Sequence, residues 1–129
     1  SLRSPGPYQL QAAIAACHSD ASRNEDTDWA QILALYSRLH EMHPSPVVAL
    51  NRAVAMAKAH GAGAGLDAMA DLEVDLGDYY LLHSARADML RQLGRAAEAA
   101  DAYRRARELS PEGAERAFLD SRLAILESE

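Results

Sequence analysis

Apolar residues recur at three- and four-residue steps along most of the chain. Ile32, Leu35, Tyr36, Leu39 and Met42 form one such stripe, Leu82, Ala85, Met89, Leu90 and Leu93 a second, and Ala99, Ala102, Tyr103, Ala106 and Leu109 a third. That period is the helical one, and it predicts seven helices, near residues 7–19, 27–43, 46–60, 64–75, 79–93, 96–109 and 112–127. The punctuation between stripes agrees. Asp26 and Thr27 are placed to cap the second helix, with Trp29 in its first turn. Ser45-Pro46 and Ser110-Pro111 each put a capping hydroxyl before a proline whose fixed φ suits the first helical position. Gly94 supplies a left-handed turn between two nearly continuous helices. Residues 1–6, with Ser4-Pro5-Gly6 leading into Pro7, read as a linker from an upstream domain or a cloning remnant.

A repeat underlies these helices. The run from Ala87 to Pro111 resembles the tetratricopeptide motif through Ala87, Leu90, Gly94, Glu98-Ala99, Tyr103, Ala106 and Pro111. Shifted back by about one such repeat, Ala53 falls under Ala87, Met56 under Leu90, Met69 under Tyr103 and Leu72 under Ala106. This second copy is degraded, with Gly65 where Ala99 sits. A looser third unit runs from Tyr8 to His18 and from Trp29 to Pro44, where Tyr36, Leu39 and Pro44 echo Tyr103, Ala106 and Pro111. The expected fold is therefore all-α: a tetratricopeptide-like α-solenoid of three helical hairpins, near 7–44, 46–77 and 79–111, closed by a capping helix at 112–127. Composition fits that picture. Apolar residues make up 49% of the 129, but only 5% are aromatic, and the abundant alanine favours close-packed helices over sheet.

Charge narrows the function. With 13 basic against 19 acidic residues, a net charge of -6 repels a phosphate backbone, so no direct nucleic-acid binding is expected. No stretch is long and apolar enough for a membrane span, and a lone cysteine, Cys17, fits a reducing cytoplasm. His40 and His43 share a helix face without a carboxylate or thiol arranged beside them, and adjacent Cys17 and His18 point about 100° apart on a helix. Gly61-Ala62-Gly63-Ala64-Gly65 lacks the Lys-Ser/Thr of a phosphate loop. No catalytic constellation, metal site or cofactor is expected, and the chain reads as no enzyme. The acids Asp67, Asp71, Glu73, Asp75 and Asp78, and the arginines 86, 91, 95, 104, 105 and 107, read as solvated faces, with docking edges as the sharper alternative.

Arg52 and Arg86 occupy the same position in successive units, where the motif usually carries a packed apolar residue. A buried guanidinium needs a partner, and Asp26 and Asp28 are the candidates for Arg52. The runs Gly6-Pro7-Tyr8-Gln9-Leu10-Gln11-Ala12-Ala13-Ile14-Ala15-Ala16, Asp26-Thr27-Asp28-Trp29, Pro44-Ser45-Pro46-Val47-Val48-Ala49-Leu50-Asn51-Arg52-Ala53-Val54-Ala55 and Leu81-Leu82-His83-Ser84-Ala85-Arg86-Ala87-Asp88 resemble the C-terminal extension of one group of bacterial extracytoplasmic-function sigma factors. The resemblance implies a regulatory module of a transcription-initiation protein, contacting the sigma factor's own domains or RNA polymerase, with DNA binding left to the full-length protein. A free-standing tetratricopeptide adaptor is the alternative. In either case the docking surface is expected on the concave face made by the first helix of each hairpin, with Val47, Leu50 and Val54 from the second unit and Ser84, Asp88 and Arg91 from the third.

Overall fold

Pro46, Gly61 and Gly94 cut the helical pattern of the central chain where it has to turn. The computed structural model describes residues 6–20, 28–110 and 113–127, with the backbone alone at 8, 15–20, 114 and 115. Among these, eight helices and no strand are found: α1 (Pro7–Asp20), α2 (Trp29–Met42), α3 (Pro46–His60), α4 (Ala62–Met69), α5 (Glu73–Leu76), α6 (Tyr80–Gln92), α7 (Ala96–Leu109) and α8 (Ala114–Glu127). The all-helical expectation is met, with eight helices instead of seven.

The difference lies in the predicted helix at 64–75. Gly61, at φ 107°, ends α3 and leads directly into α4. After Met69 the chain tightens into three-residue turns, Leu72 N–H donating to Met69 C=O at 3.0 Å and Asp75 N–H to Leu72 C=O at 3.2 Å. The break brings Leu76 into the core while leaving Glu73, Val74 and Asp75 outside. A second difference is at α2, which starts at Trp29 with Asp28 as its cap; the Asp28 carboxylate accepts from Gln31 N–H at 3.0 Å. Asp26 and Thr27, and likewise Pro111, lie outside the described residues. Between α6 and α7 the chain reverses at Gly94, φ 78°, with Arg95 N–H donating to Leu90 C=O and Gly94 N–H to Arg91 C=O. That pair of bonds is the Schellman arrangement, and it satisfies two carbonyls at the end of α6.

Packing follows chain order. α1 lies on α2, α2 on α3, α3 on α4, α4 on α6, α6 on α7 and α7 on α8, and α3 also touches α5 and α6. The core divides in the same sequence. Leu10, Ile14, Ile32, Leu39 and Ala55 join α1 to α3; Leu50, Ala53, Ala62, Met69, Leu82 and Met89 join α3, α4 and α6; and Leu90, Ala99, Tyr103 and Ala106 meet Leu119, Leu123 and Leu126 of α8. Leu66 of α4 packs against the last two clusters and links them.

Small residues set the helix spacing. Ala53 and Ala87 are both fully buried, as is Ala99. Gly65 is tighter still: a Cβ there would lie 2.5 Å from Ala57 Cβ, 3.0 Å from Met89 Sδ and 3.1 Å from the Ala53 carbonyl. The glycine that degrades the repeat in the sequence is therefore the residue that lets α4 seat against α3 and α6.

Candidate docking groove

Because α3 and α6 both pack on α4, they leave a groove between them with a cavity volume of about 310 Å³. Its apolar lining is Leu50, Val54 and Ala57 from α3 and Leu81, Ala85 and Met89 from α6. Polar groups surround these: Asn51 and Lys58 of α3, Ser84, Asp88, Arg91 and Gln92 of α6, and Arg122 of α8. A second hollow, between α1, α2 and the start of α3, is lined by Ile14, Tyr36, Leu39, His43, Val47 and Val48 among others. Asn51 borders both hollows.

The structure thus places five of the six residues expected on the concave face, Leu50, Val54, Ser84, Asp88 and Arg91, around one groove, and Val47 in the adjoining hollow. They differ in depth. Leu50 is only 3% exposed and belongs to the core beneath the groove, Val54 is half-buried, and Val47 is exposed.

One side of the groove is fixed by a polar cluster. The Tyr103 hydroxyl, reaching from α7, donates to Asp88 Oδ1, and Arg91 Nε donates to the same hydroxyl at 3.4 Å while its guanidinium stands 3.9 Å from Asp88. Burial, then the bond to Asp88, push the Tyr103 phenol up to about 12, against the opposing pull of Arg91. At neutral pH it stays protonated and donates to Asp88 Oδ1, filling one acceptor position of that carboxylate. The two other cations are oriented by aromatic rings: Lys58 Nζ lies 5.9 Å from the Trp29 ring centre, and the Arg122 guanidinium 5.0 Å from that of Phe118. Arg122 Nε is buried and has no hydrogen-bond partner among the described residues.

Arg52 and Arg86 correct the expectation of buried ion pairs. Arg52 is half-buried, and its Nε donates to the Ser37 hydroxyl of α2 at 2.8 Å, while Asp28 is engaged as the α2 cap. A hydroxyl one helix away takes the Nε–H of the guanidinium, and the other candidate partner, Asp26, lies outside the described residues. Arg86 is exposed; the Glu98 carboxyl near it is held below its usual range mainly by hydrogen bonds from Arg95, with the Arg86 charge a minor cause.

The other polar residues fall into structural places. Arg104 pairs with Asp101 and Glu127, Arg105 with Asp78 and Glu108, and Arg107 with Asp120, so the arginines of α7 tie it to α8 and to the α5–α6 turn. Asp67, Asp71, Glu73 and Asp75 are exposed. No group of three or more metal-ligating side chains gathers among the described residues, and the side chains of Cys17 and His18 lie outside them. No described helix is long and apolar enough to cross a membrane. Sequence reasoning missed several residues, Leu81 and Ala85 on the groove floor among them. His83 is buried and donates Nε2–H to the Gly77 carbonyl at 2.7 Å, bracing the turn into α6. Lys58 and Arg122 border the groove, yet neither sits at a position the repeat register marks.

No protein-family model matches the chain. An uncharacterized protein of Rhizobium meliloti (strain 1021) is 47% identical over 127 residues, a match that covers 98% of this chain and 30% of that protein. The chain thus spans about a third of the length of this relative.

Proposed function

We propose that this chain is a protein-docking module of tetratricopeptide type, and that it serves as the regulatory extension of an extracytoplasmic-function sigma factor. The observation that carries the docking reading is the groove between α3 and α6, where an apolar floor is ringed by fixed polar groups. Helices that pack in chain order, with Ala53 and Ala87 at matching buried positions, support the repeat architecture. The sigma-factor assignment rests on the sequence runs that resemble that family. A module joined to further domains in a longer protein suits a relative more than three times the length of the match. In such a protein the module acts by holding the sigma domains or RNA polymerase, and it has no catalytic part.

The test is deletion of the module from the intact protein in its own host, with transcription and promoter choice read by RNA sequencing. The reading expects changed transcript levels from an unchanged set of promoter sequences. A changed promoter sequence preference, or tight duplex binding by the 129-residue chain near physiological salt, defeats it. Unchanged transcription on deletion, with peptide binding intact in the chain, is the mark of a free-standing adaptor. Val54→Asp reproduces the deletion if the groove is the docking site; Leu50 is unsuited to this use because it is buried.

A further inference from the structure

The groove differs in charge from the rest of the molecule. The chain carries a net charge of -6, yet the groove is bordered by Lys58, Arg91 and Arg122 and by one carboxylate, Asp88. That carboxylate is already engaged by the Tyr103 hydroxyl and the Arg91 guanidinium. Counting Asp88 against Arg91 leaves Lys58 and Arg122 as cations without an ion-pair partner among the described residues, across an apolar floor. Both are held in place by aromatic rings, and the Arg122 Nε–H lacks an acceptor among the described residues. The adjoining hollow adds His43 and no acid to its lining.

We infer that the groove receives an acidic amphipathic helix of a partner protein, apolar side chains down on Val54, Leu81 and Ala85 and carboxylates directed at Lys58 and Arg122. This rests on the docking reading above and specifies the chemistry of what docks. A cavity of about 310 Å³ accommodates a few side chains and not a whole domain face. Charge at its edge then sets partner choice and encounter rate more than raw affinity. A polynucleotide fits less well, because its phosphate backbone offers no apolar side chains to fill the floor of Val54, Leu81 and Ala85. A second copy of the chain offers Val74 between Glu73 and Asp75 on a four-residue helix, and Phe118 and Ile125 on α8, but the acids beside the latter pair, Asp120 and Glu127, are already engaged by Arg107 and Arg104.

The experiment measures fluorescence anisotropy of a labelled synthetic peptide with leucines at i, i+4 and i+7 and glutamates on the flanking positions, titrated with the full chain. A peptide with every glutamate replaced by glutamine is the comparison. The glutamate peptide is expected to bind about tenfold more tightly, a difference of about 1.4 kcal/mol. The Lys58→Gln, Arg122→Gln double variant is expected to erase that preference, and Val54→Asp to abolish binding of both peptides. Circular dichroism melts verify that each variant is folded; where the double variant is not, each single variant is expected to remove part of the preference. Equal binding of the two peptides overturns the acidic-partner inference and leaves the docking groove standing. Binding of neither peptide removes both. Competition by duplex DNA at equal concentration, or concentration-dependent self-association relieved by Val74→Glu in sedimentation velocity, assigns the groove to another occupant and also overturns the inference.

Discussion

Substituting alanine at Gly65 opposes two effects of known sign. Within a helix, alanine is favoured over glycine by up to about 1 kcal/mol, because it restricts the unfolded chain. At Gly65 the new methyl would sit 2.5 Å from Ala57 Cβ, 3.0 Å from Met89 Sδ and 3.1 Å from the Ala53 carbonyl oxygen. The methionine can swing away. The alanine Cβ and the carbonyl move only with α3 itself, so α4 has to lift off α3. Overpacking of that kind costs roughly 1–3 kcal/mol, and a contact at 2.5 Å with an atom that cannot yield belongs in the upper half of that range, which leaves a net loss of about 1–2 kcal/mol and a melting temperature lower by ~4–8 °C for a domain of this size. Gly63, two residues earlier in α4, is the control: nothing lies within 4 Å of its added Cβ. Gly63→Ala is therefore expected to raise stability by a few tenths of a kcal/mol to ~1 kcal/mol. Thermal melts followed by circular dichroism, with urea titrations for the free energies, read both. If Gly65→Ala melts at or above the wild-type temperature, the α3–α4 approach is not the tight contact argued above, and the account of groove spacing goes with it.

The remaining expectations concern the cluster beside the groove and the buried alanines. Because the Tyr103 phenol is raised from 10.0 to about 12, its contribution to stability is complete below pH 10 and is lost as pH climbs to about 12; urea titrations over that window should show a falling stability that Tyr103→Phe flattens, with the raised Tyr36 leaving a residual slope. Below that window Tyr103→Phe should cost about 1 kcal/mol for the lost hydrogen bond to Asp88. Ala87→Leu should overpack α6 against its neighbours and cost ~1–3 kcal/mol in the same titration, and an unchanged transition would place Ala87 away from a helix contact. Ser37→Ala should cost roughly 0.5–1.5 kcal/mol through the acceptor lost to Arg52, with no effect on peptide binding at the groove.

The helices were legible because apolar spacing reports a helical face directly, and Pro46 at the start of α3 and the left-handed Gly94 reinforced it, although Ser45 makes no side-chain capping bond. The α4–α5 break was not, since Leu66, Met69, Leu72 and Leu76 keep steps of three and four straight across it. What interrupts the helix is a change to three-residue hydrogen bonding that no side-chain spacing encodes. Gly65 looked like a flaw in the repeat because a sequence shows which side chain is missing and not what fills its space. Ser37 was missed as a partner of Arg52 for a related reason: it lies on the preceding helix, and only the packing of α2 on α3 brings its hydroxyl within reach. Five of the groove's thirteen lining residues followed from the equivalent positions on α3 and α6. Lys58 and Arg122 did not, because Arg122 belongs to the capping helix, which lies outside the repeat register.

The position of Arg122 gives α8 two roles that respond differently to salt. Its apolar face, Leu119, Leu123 and Leu126, closes the last core cluster, and this burial is what holds it on α7. The ion pairs alongside, Arg107 with Asp120 and Arg104 with Glu127, are exposed, and such pairs contribute at most about 1 kcal/mol each. Added salt should consequently leave the seat of α8 almost untouched. The attraction between a carboxylate and Lys58 or Arg122 acts at the open rim of the groove, where ions screen it over a Debye length of about 10 Å at 0.1 M and about 3 Å at 1 M. Raising salt across that range should therefore weaken capture of the glutamate peptide several-fold, bring its affinity to that of the glutamine peptide, and leave the melting temperature within a few degrees of its starting value. Loss of melting temperature in step with loss of binding would mean that α8 is held by charge and not by its leucines. Arg122 would then reach the groove only when the ion pairs to α7 are intact, and the cap would be a salt-sensitive element of the site instead of its fixed wall.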